Sequence, residues 1–161
     1  MRTLVLVALF LVARGADADT TARTKSTLSF GEHGFSIDPP VGHDATQVQQ
    51  VVMLMLPAAD GFSPNVNVQV QPFTGTMEEY LRLSNEQFKA NGVKIVAEKH
   101  DAKTAMLEYT GPYGGRPLHW YSRAFLAKNG IVLATATAGE TQWPKLSAVL
   151  RQSVDSLRPL P

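Results

Sequence analysis

The four histidines are the side chains in this chain best suited to acid–base chemistry or metal binding, and they lie far apart in the sequence. They are His33, His43, His100 and His119. None belongs to an H-E-x-x-H or similar pair, the spacing that places two imidazoles on one face of a helix to hold zinc. Glu32 next to His33, and Asp44 next to His43, leave a surface metal site, and with it a metal-assisted enzyme, open as an alternative.

Other catalytic arrangements lack the residues they need. The chain contains no cysteine, which excludes a thiolate nucleophile, a cysteine-ligated metal and a disulfide framework. It has no G-x-S-x-G sequence of the kind found in serine hydrolases. Gly111, Gly114 and Gly115 fall in a predicted hairpin connection, where turn geometry accounts for them, and do not form a phosphate-binding loop. We therefore predict that the protein is not an enzyme and binds no cofactor or metal.

Residues 1–18 predict a secretory signal peptide. Arg2 precedes a run of nine apolar residues at positions 4–12, and Ala16 and Ala18 form an A-x-A cleavage pattern. The apolar run is far shorter than the roughly 20 residues that a membrane-spanning helix needs. We expect cleavage before Asp19, a flexible lead-in over residues 19–26, and a single domain over residues 27–158 of a periplasmic or secreted protein with no stable membrane insertion.

The charge balance of the expected mature chain argues against a polyanionic partner. The whole chain has 15 Lys and Arg and 14 Asp and Glu. The expected leader contains two of the basic residues and one of the acidic ones, so the mature chain is formally neutral. It also lacks a basic stripe that would bind nucleic acid or a cluster that would hold an anionic membrane. A protein partner fits this surface better.

A strand followed by a helix, over residues 62–92, organises the predicted fold. In NVNVQVQ, three valines alternate with Asn67, Gln69 and Gln71, which at the period of a strand places the valines on the core face and the amides on the opposite face. Thr76 and Glu79 then have the spacing of a capping box at a helix start. The amides have no evident structural purpose, so we predict that their face is available to a partner.

The remaining elements are mostly strands. TLSF and FSID predict two short strands or one kinked strand before Pro39 and Pro40. VQQVVMLMLP is apolar on both faces, which predicts a central strand covered on both sides. VKIVAEKH, TAMLEYTG, RPLHWYSRAFLA and IVLATATA are joined by short turns, including an Asn-Gly pair, and predict an antiparallel meander. A last helix begins near residues 141–144 and carries apolar residues at helical spacing as far as Leu157.

Together these elements predict an α+β fold in which helices pack onto a sheet. Four stretches also carry a family resemblance: HGFSIDPP, FSPNVNVQVQPFTGTMEEYLRLS, the AMLEYTG to NGIVLATATA hairpin region, and the terminal SVDSLRP. They resemble the PsbP-like superfamily, in particular its bacterial DcrB-type and LpqN-type exported members, over residues 28–158. The resemblance implies an α/β/α sandwich with a central, mostly antiparallel sheet of about six or seven strands and two main helices. It also implies an accessory, assembly or binding role.

The strand RPLHWYSRAFLA contains the other candidate binding residues. Tyr121 and Arg123 share one face of it and are of types enriched at interaction hot spots. A helix covering this face would make both residues its polar margin, and that alternative is open. The loop residue Tyr113, and Phe62 with Pro64, are further candidates.

These observations lead to three functional hypotheses. The first is an exported, non-enzymatic accessory protein that binds another protein in the cell envelope through the sheet face or the loops. The second is an immunity or neutralising protein directed against a toxin or lytic enzyme. The third is the metal-assisted enzyme, with His33 and His43 as its metal ligands.

Overall fold

The computed structural model describes residues 28–30, 35–37, 49–128 and 130–159. The predicted signal peptide, the lead-in, and both His33 and His43 lie outside the described residues. Within them, no helix is long and apolar enough to cross a membrane.

The described strands form two antiparallel sheets. Their bounds are β1 Leu28–Phe30, β2 Phe35–Ile37, β3 Gln49–Met55, β4 Asn65–Gln71, β5 Lys94–His100, β6 Thr104–Tyr113, β7 Arg116–Ala127 and β8 Gly130–Gly139, with helices α1 Met77–Ala90 and α2 Trp143–Asp155. β1 pairs with β2, and the other six form one open sheet in the order β3-β4-β8-β7-β6-β5. The α+β class, the predicted meander over β5 to β8 and the two helices are confirmed.

Helix α1 begins at the predicted capping box. The backbone N–H of Thr76 donates to Glu79 Oε2 at 2.7 Å, and the backbone N–H of Glu79 donates to Thr76 Oγ1 at 3.2 Å. The hydrogen bonds from the Thr76 backbone N–H and from the Thr76 hydroxyl hold the pKa of the Glu79 carboxyl below its usual range. After the helix, Gly92 has a φ of 69°, a conformation that glycine adopts readily, and Val93 N–H donates to Phe88 O at 2.9 Å. The sequence therefore specifies both ends of α1.

The two helices pack against alternating sets of strand side chains. Tyr80 and Phe88 of α1 belong to one buried cluster with Leu118 and Trp120 of β7. Trp143 and Leu150 of α2 belong to a second cluster, which includes Tyr121, the residue that follows Trp120. The two clusters therefore take alternating residues of β7, Trp120 in the cluster with α1 and Tyr121 in the cluster with α2.

Strand β3 is an edge strand, and the prediction that it is central and covered on both sides is wrong. It pairs with β4 and ends the order of the six-stranded sheet. Val51, Leu54 and Met55 are 55%, 58% and 61% exposed. A sequence that is apolar on both faces is consistent with a central strand, but periodicity carries no information about how many neighbours the strand has. Strand order decides that, and here the chain places β8 beside β4 on the inner side.

Candidate functional site

The three amides on β4 that were expected to form an open binding face are buried. Asn67, Gln69 and Gln71 are 1%, 2% and 4% exposed. Gln69 and Gln71 pair with Leu133 and Ile131 of β8, which belong to the cluster that includes α1. The expected exposure is therefore wrong, because a period of two shows which residues share a face but not which face a helix covers.

Two of these amides have structural partners. The hydroxyl of Tyr80 on α1 donates to Gln71 Oε1 at 3.0 Å, and Gln71 Nε2 donates to Gln69 Oε1 at 3.4 Å. Burial raises the pKa of Tyr80 well above its usual value. Its hydroxyl is thereby kept as a neutral donor. The amides thus support the docking of α1 onto the sheet.

Asn67 differs from its neighbours. Neither its Nδ2 nor its Oδ1 has a hydrogen-bond partner, although both atoms are buried. It lies opposite Thr135 of β8, whose hydroxyl is within 3.0 Å of Ser122 Oγ. Ser122 is in turn 3.0 Å from the hydroxyl of Tyr109, whose pKa is raised to about 12 by burial. The neighbouring hydroxyls form hydrogen bonds with one another, and the amide of Asn67 forms none with them.

Tyr121 and Arg123 contact helix α2. This agrees with the alternative prediction that a helix covers their face of β7 and that both residues form its polar margin. Tyr121 is 6% exposed, and its hydroxyl donates to Asp155 Oδ1 on α2 at 2.8 Å. Arg123, whose side chain is 40% exposed, lies 3.2 Å from the same oxygen. Burial, followed by the bond to Asp155, raises the pKa of Tyr121. The expected open face at these two residues is wrong because a helix occupies it.

The loop candidates also contribute to the interior. Phe62 is 6% exposed, and Pro64 is among the fully buried residues. Tyr113 is half-buried and packs against the cluster that contains α1. Two of the three predicted turn glycines are confirmed, since Gly114 and Gly115 have φ values of 59° and 79°. The prediction is wrong for Gly111, which lies within β6 opposite Leu118. Phe62 and Pro64 therefore lie in the interior, whereas Gly114 and Gly115 at the turn are exposed.

A partly buried ionic cluster, formed by residues of β6, β7 and α2 and by Glu140 directly after β8, was not predicted from the sequence. His119 Nε2 lies 2.8 Å from Glu108 Oε1, and His119 Nδ1 lies 3.2 Å from Glu140 Oε2. Arg151 of α2 contacts the same Glu108 oxygen. Burial alone would raise the pKa of Glu108, but the bonds from Arg151 and His119 outweigh it and hold this pKa below its usual range. We call Glu108, His119, Glu140 and Arg151 the ionic cluster.

Aromatic rings enclose the ionic cluster. The ring of His119 stacks on Trp143 with centroids 4.2 Å apart and an angle of 12° between the planes. The guanidinium of Arg151 lies 4.6 Å from the Tyr121 ring centroid and 5.6 Å from that of Trp143. The alternation of residues along β7 does predict that His119 and Tyr121 share one face of the strand. The partners come from three other segments, so spacing alone could not reveal the cluster.

The arrangement of these groups favours a structural role over a catalytic one. Both ring nitrogens of His119 face carboxylates within the cluster, which leaves no nitrogen free to exchange a proton with a substrate. Across the residues that the structure describes, no group of three His, Asp or Glu side chains could hold a metal ion.

The two outer strands of the six-stranded sheet differ in charge. β5, KIVAEKH, contains Lys94, Glu98 and Lys99, and a register shift lies between Ile95 and Ala97. Charges and bulges are devices that stop edge strands from pairing with other chains. β3, QQVVMLM, has no charged residue and no proline. After its own register shift it continues regularly from Val52 to Met55, so its second half is a regular and uncharged edge.

Comparison with known proteins identifies a shared fold. No family model matches the chain, and no curated protein matches it. Among solved structures, protein PA94 of unknown function from Pseudomonas aeruginosa has a TM-score of 0.60 and 15% identity, covering 85% of this chain and 98% of that one. CyanoP, the cyanobacterial PsbP from Synechocystis sp. PCC 6803, has a TM-score of 0.42 and 14% identity, covering 88% and 95%. The likeness to PA94 shows the fold, and a fold alone does not fix a function.

Proposed function

We propose that this protein is an exported, non-enzymatic accessory protein that binds another protein by adding one of its partner's strands to β3. The observation that carries the proposal is the edge itself. Val51, Leu54 and Met55 are more than half exposed on a strand without charge. Long uncharged edge strands invite pairing with another chain, and proteins normally block them. Among the described residues, β5 has such protection and β3 does not.

The local geometry defines the chemistry of the partner. Leu54 lies opposite Val66 on β4, and Met55 lies opposite Asn65, so the exposed edge presents apolar side chains to both faces of the sheet. Val68 and Val70 on β4 are only half-buried and extend the apolar surface behind the edge. In strand addition the main-chain hydrogen bonds supply affinity and the side chains supply selectivity. The partner is therefore an extended, uncharged segment rich in apolar residues.

Separate observations support the fold, the accessory role, the export and the non-enzymatic character of the proposed protein. The packing of α1 and α2 against alternating strand residues supports an α/β/α sandwich of the PsbP-like kind. The four sequence stretches that resemble the DcrB-type and LpqN-type proteins support an accessory role. Export is supported by the leader-like pattern of residues 1–18. A non-enzymatic role is supported by the mutual pairing within the ionic cluster.

The test compares the two sheet edges. Leu54→Lys with Met55→Lys places two charges on β3 at positions that are 58% and 61% exposed, where we expect the isolated protein to tolerate them. Ile95→Lys with Val96→Lys does the same on β5, where the side chains are 40% and 55% exposed. Each tagged protein is used to capture partners from envelope extract, and the captured protein is identified, purified and titrated back.

We expect the wild type and the β5 variant to bind the purified partner alike, and the β3 variant to lose binding by about 100-fold or more. Hydrogen exchange of the complex should show protection of the β3 amides. Undiminished binding by the β3 variant, or equal loss in the β5 variant, would remove β3 as the binding edge.

A further inference from the structure

Helix α2 lacks the stabilising features that α1 has at its ends. Its N-cap, Gln142, makes no side-chain cap bond, and the first turn has no acidic residue. The last turn has no basic residue either, so neither end of the helix dipole meets a compensating charge on α2. The Gln142 side chain bonds to other segments instead, since its Nε2 donates to Ala59 O at 2.7 Å and its Oε1 accepts from Gly139 N–H at 2.9 Å. The position of α2 therefore depends on its contacts with the sheet.

Polar contacts to the sheet occur along the length of α2. Trp143, at its start, stacks on His119. Arg151, two turns later, contacts Glu108. Asp155, at its end, accepts the hydroxyl of Tyr121 at 2.8 Å. Beneath the helix, much of the apolar floor is made of small side chains, namely Ala134, Ala136 and Ala138.

The geometry of His119 specifies its charge. Ionised carboxylates only accept hydrogen bonds, and a neutral imidazole has one N–H. Nε2 faces Glu108 at 2.8 Å and Nδ1 faces Glu140 at 3.2 Å. Both contacts are favourable together only when both nitrogens carry a proton, which is the imidazolium. Loss of one proton leaves a nitrogen lone pair directed at a carboxylate, so one of the two contacts becomes repulsive.

The other charged groups around His119 do not replace this proton. Arg151 already contacts Glu108. Glu140 is 45% exposed at its side chain and also accepts from Thr110 Oγ1 at 2.8 Å. At the far end of α2, Arg123 and Asp155 pair with each other. With His119 protonated the ionic cluster has two positive and two negative groups, and with His119 neutral it has one more negative group than positive groups.

We propose that α2 is a releasable helix, held on the sheet by the protonated form of His119 and loosened when that proton is lost. The imidazole side chain changes its charge in the range from about pH 5 to 8, so the device responds to ordinary changes of pH. Both contacts favour the protonated ring, so α2 is held while both ring nitrogens carry a proton and is loosened when one of these protons is lost. Glu108 stays ionised across this range because its pKa is held low. This inference is independent of the binding role of β3.

The test measures hydrogen exchange of the wild-type protein at about pH 5.5 and about pH 8, with rates corrected for intrinsic exchange and with α1 as the internal reference. We expect the protection of the α2 amides, relative to α1, to fall by about threefold or more at the higher pH. Nitrogen NMR of the His119 ring should show protons on both nitrogens at the lower pH. Trp143, stacked on this ring, should change its fluorescence in parallel, measured in a Trp120→Phe background.

Two histidine variants separate this device from general effects of pH. His119→Gln keeps a donor but cannot take up the charge, so its α2 protection should no longer change with pH. His100→Gln alters an exposed histidine on β5 and should keep the wild-type response. Equal α2 protection at both pH values in the wild type, a neutral His119 ring at the lower pH, or a pH response that survives in His119→Gln would each overturn the proposal. The wild-type and NMR measurements decide the question even if His119→Gln fails to fold.

Discussion

At the scale of single residues, the structure assigns polar side chains to the interior where their spacing predicted a surface. Gln71 and Asn67 occupy the same face of β4, yet only Gln71 has a partner from α1. A buried polar group that makes its bond contributes modestly to stability, whereas one without a bond costs free energy. Two side-chain amides on the same face of one strand therefore have opposite effects on stability.

Substitution of each amide by leucine tests this difference. Asn67→Leu removes an unpaired amide and should raise the free energy of unfolding by about 1 kcal/mol. Gln71→Leu deprives the buried Tyr80 hydroxyl of its acceptor and should lower that free energy by about 1 to 3 kcal/mol. Urea denaturation of both variants measures the two values. A clear loss of stability in Asn67→Leu would show that this amide is bonded in the native protein.

At the scale of elements, local sequence determines α1 far more than it determines α2. α1 has a reciprocal capping box at its start and a glycine in the left-handed region just after its end. α2 has Pro144 in its first turn and no cap bond. The sequence predicted the ends of α1 because caps are local interactions. It predicted α2 from apolar spacing alone, and the helix ends at Asp155, short of the expected Leu157.

Loss of the α1 cap should have a measurable cost. Thr76→Ala removes the hydroxyl that accepts the Glu79 N–H and should lower the free energy of unfolding by about 1 kcal/mol. Thr74→Ala is the matched control, because Thr74 is exposed and lies outside the capping box; it should leave stability within about 0.5 kcal/mol of the wild type. Thermal and urea unfolding give both values. Equal effects of the two substitutions would contradict a specific role of the cap.

At the scale of the whole molecule, the ionic cluster connects the sheet to α2. Glu108 on β6 receives a bond from His119 on β7 and another from Arg151 on α2. Its pKa is lower in the folded protein than its usual value. Because folding favours the ionised form, the contribution of Glu108 is present above the ordinary pKa of a glutamate and is lost as pH falls through the lower folded value.

Acid unfolding should therefore involve this carboxyl. Below about pH 4.3, the usual pKa of a glutamate side chain, the wild type should lose stability more steeply than Glu108→Gln, which cannot be protonated. At neutral pH the variant should be less stable, because Arg151 loses its ionised partner. Glu86→Gln, which removes an exposed pair with Arg82, should keep the wild-type acid profile. Parallel acid profiles of the wild type and Glu108→Gln would exclude Glu108 as a source of the pH dependence.

The sequences of β3 and β5 do not specify the position of either strand in the sheet. Both strands have exposed apolar residues, and both lie at an edge of the sheet. β5 also has charges, which are recognisable in the sequence as edge protection. β3 has none, and its uncharged pattern is the same one that a covered central strand would show. Only the pairing of β4 with β8 on its other side decides between the two.

By itself the sequence determined what is local in this protein: the alternation of β4, the capping box of α1, the turns of the meander and the α+β class. Each depends on residues a few positions apart, where spacing and backbone geometry act directly. Tertiary structure alone decided which face of β4 is buried, that α2 covers Tyr121, and that Glu108, His119, Glu140 and Arg151 meet. Those outcomes depend on contacts between segments far apart in the chain, and the candidate edge at β3 and the ionic cluster arise from them.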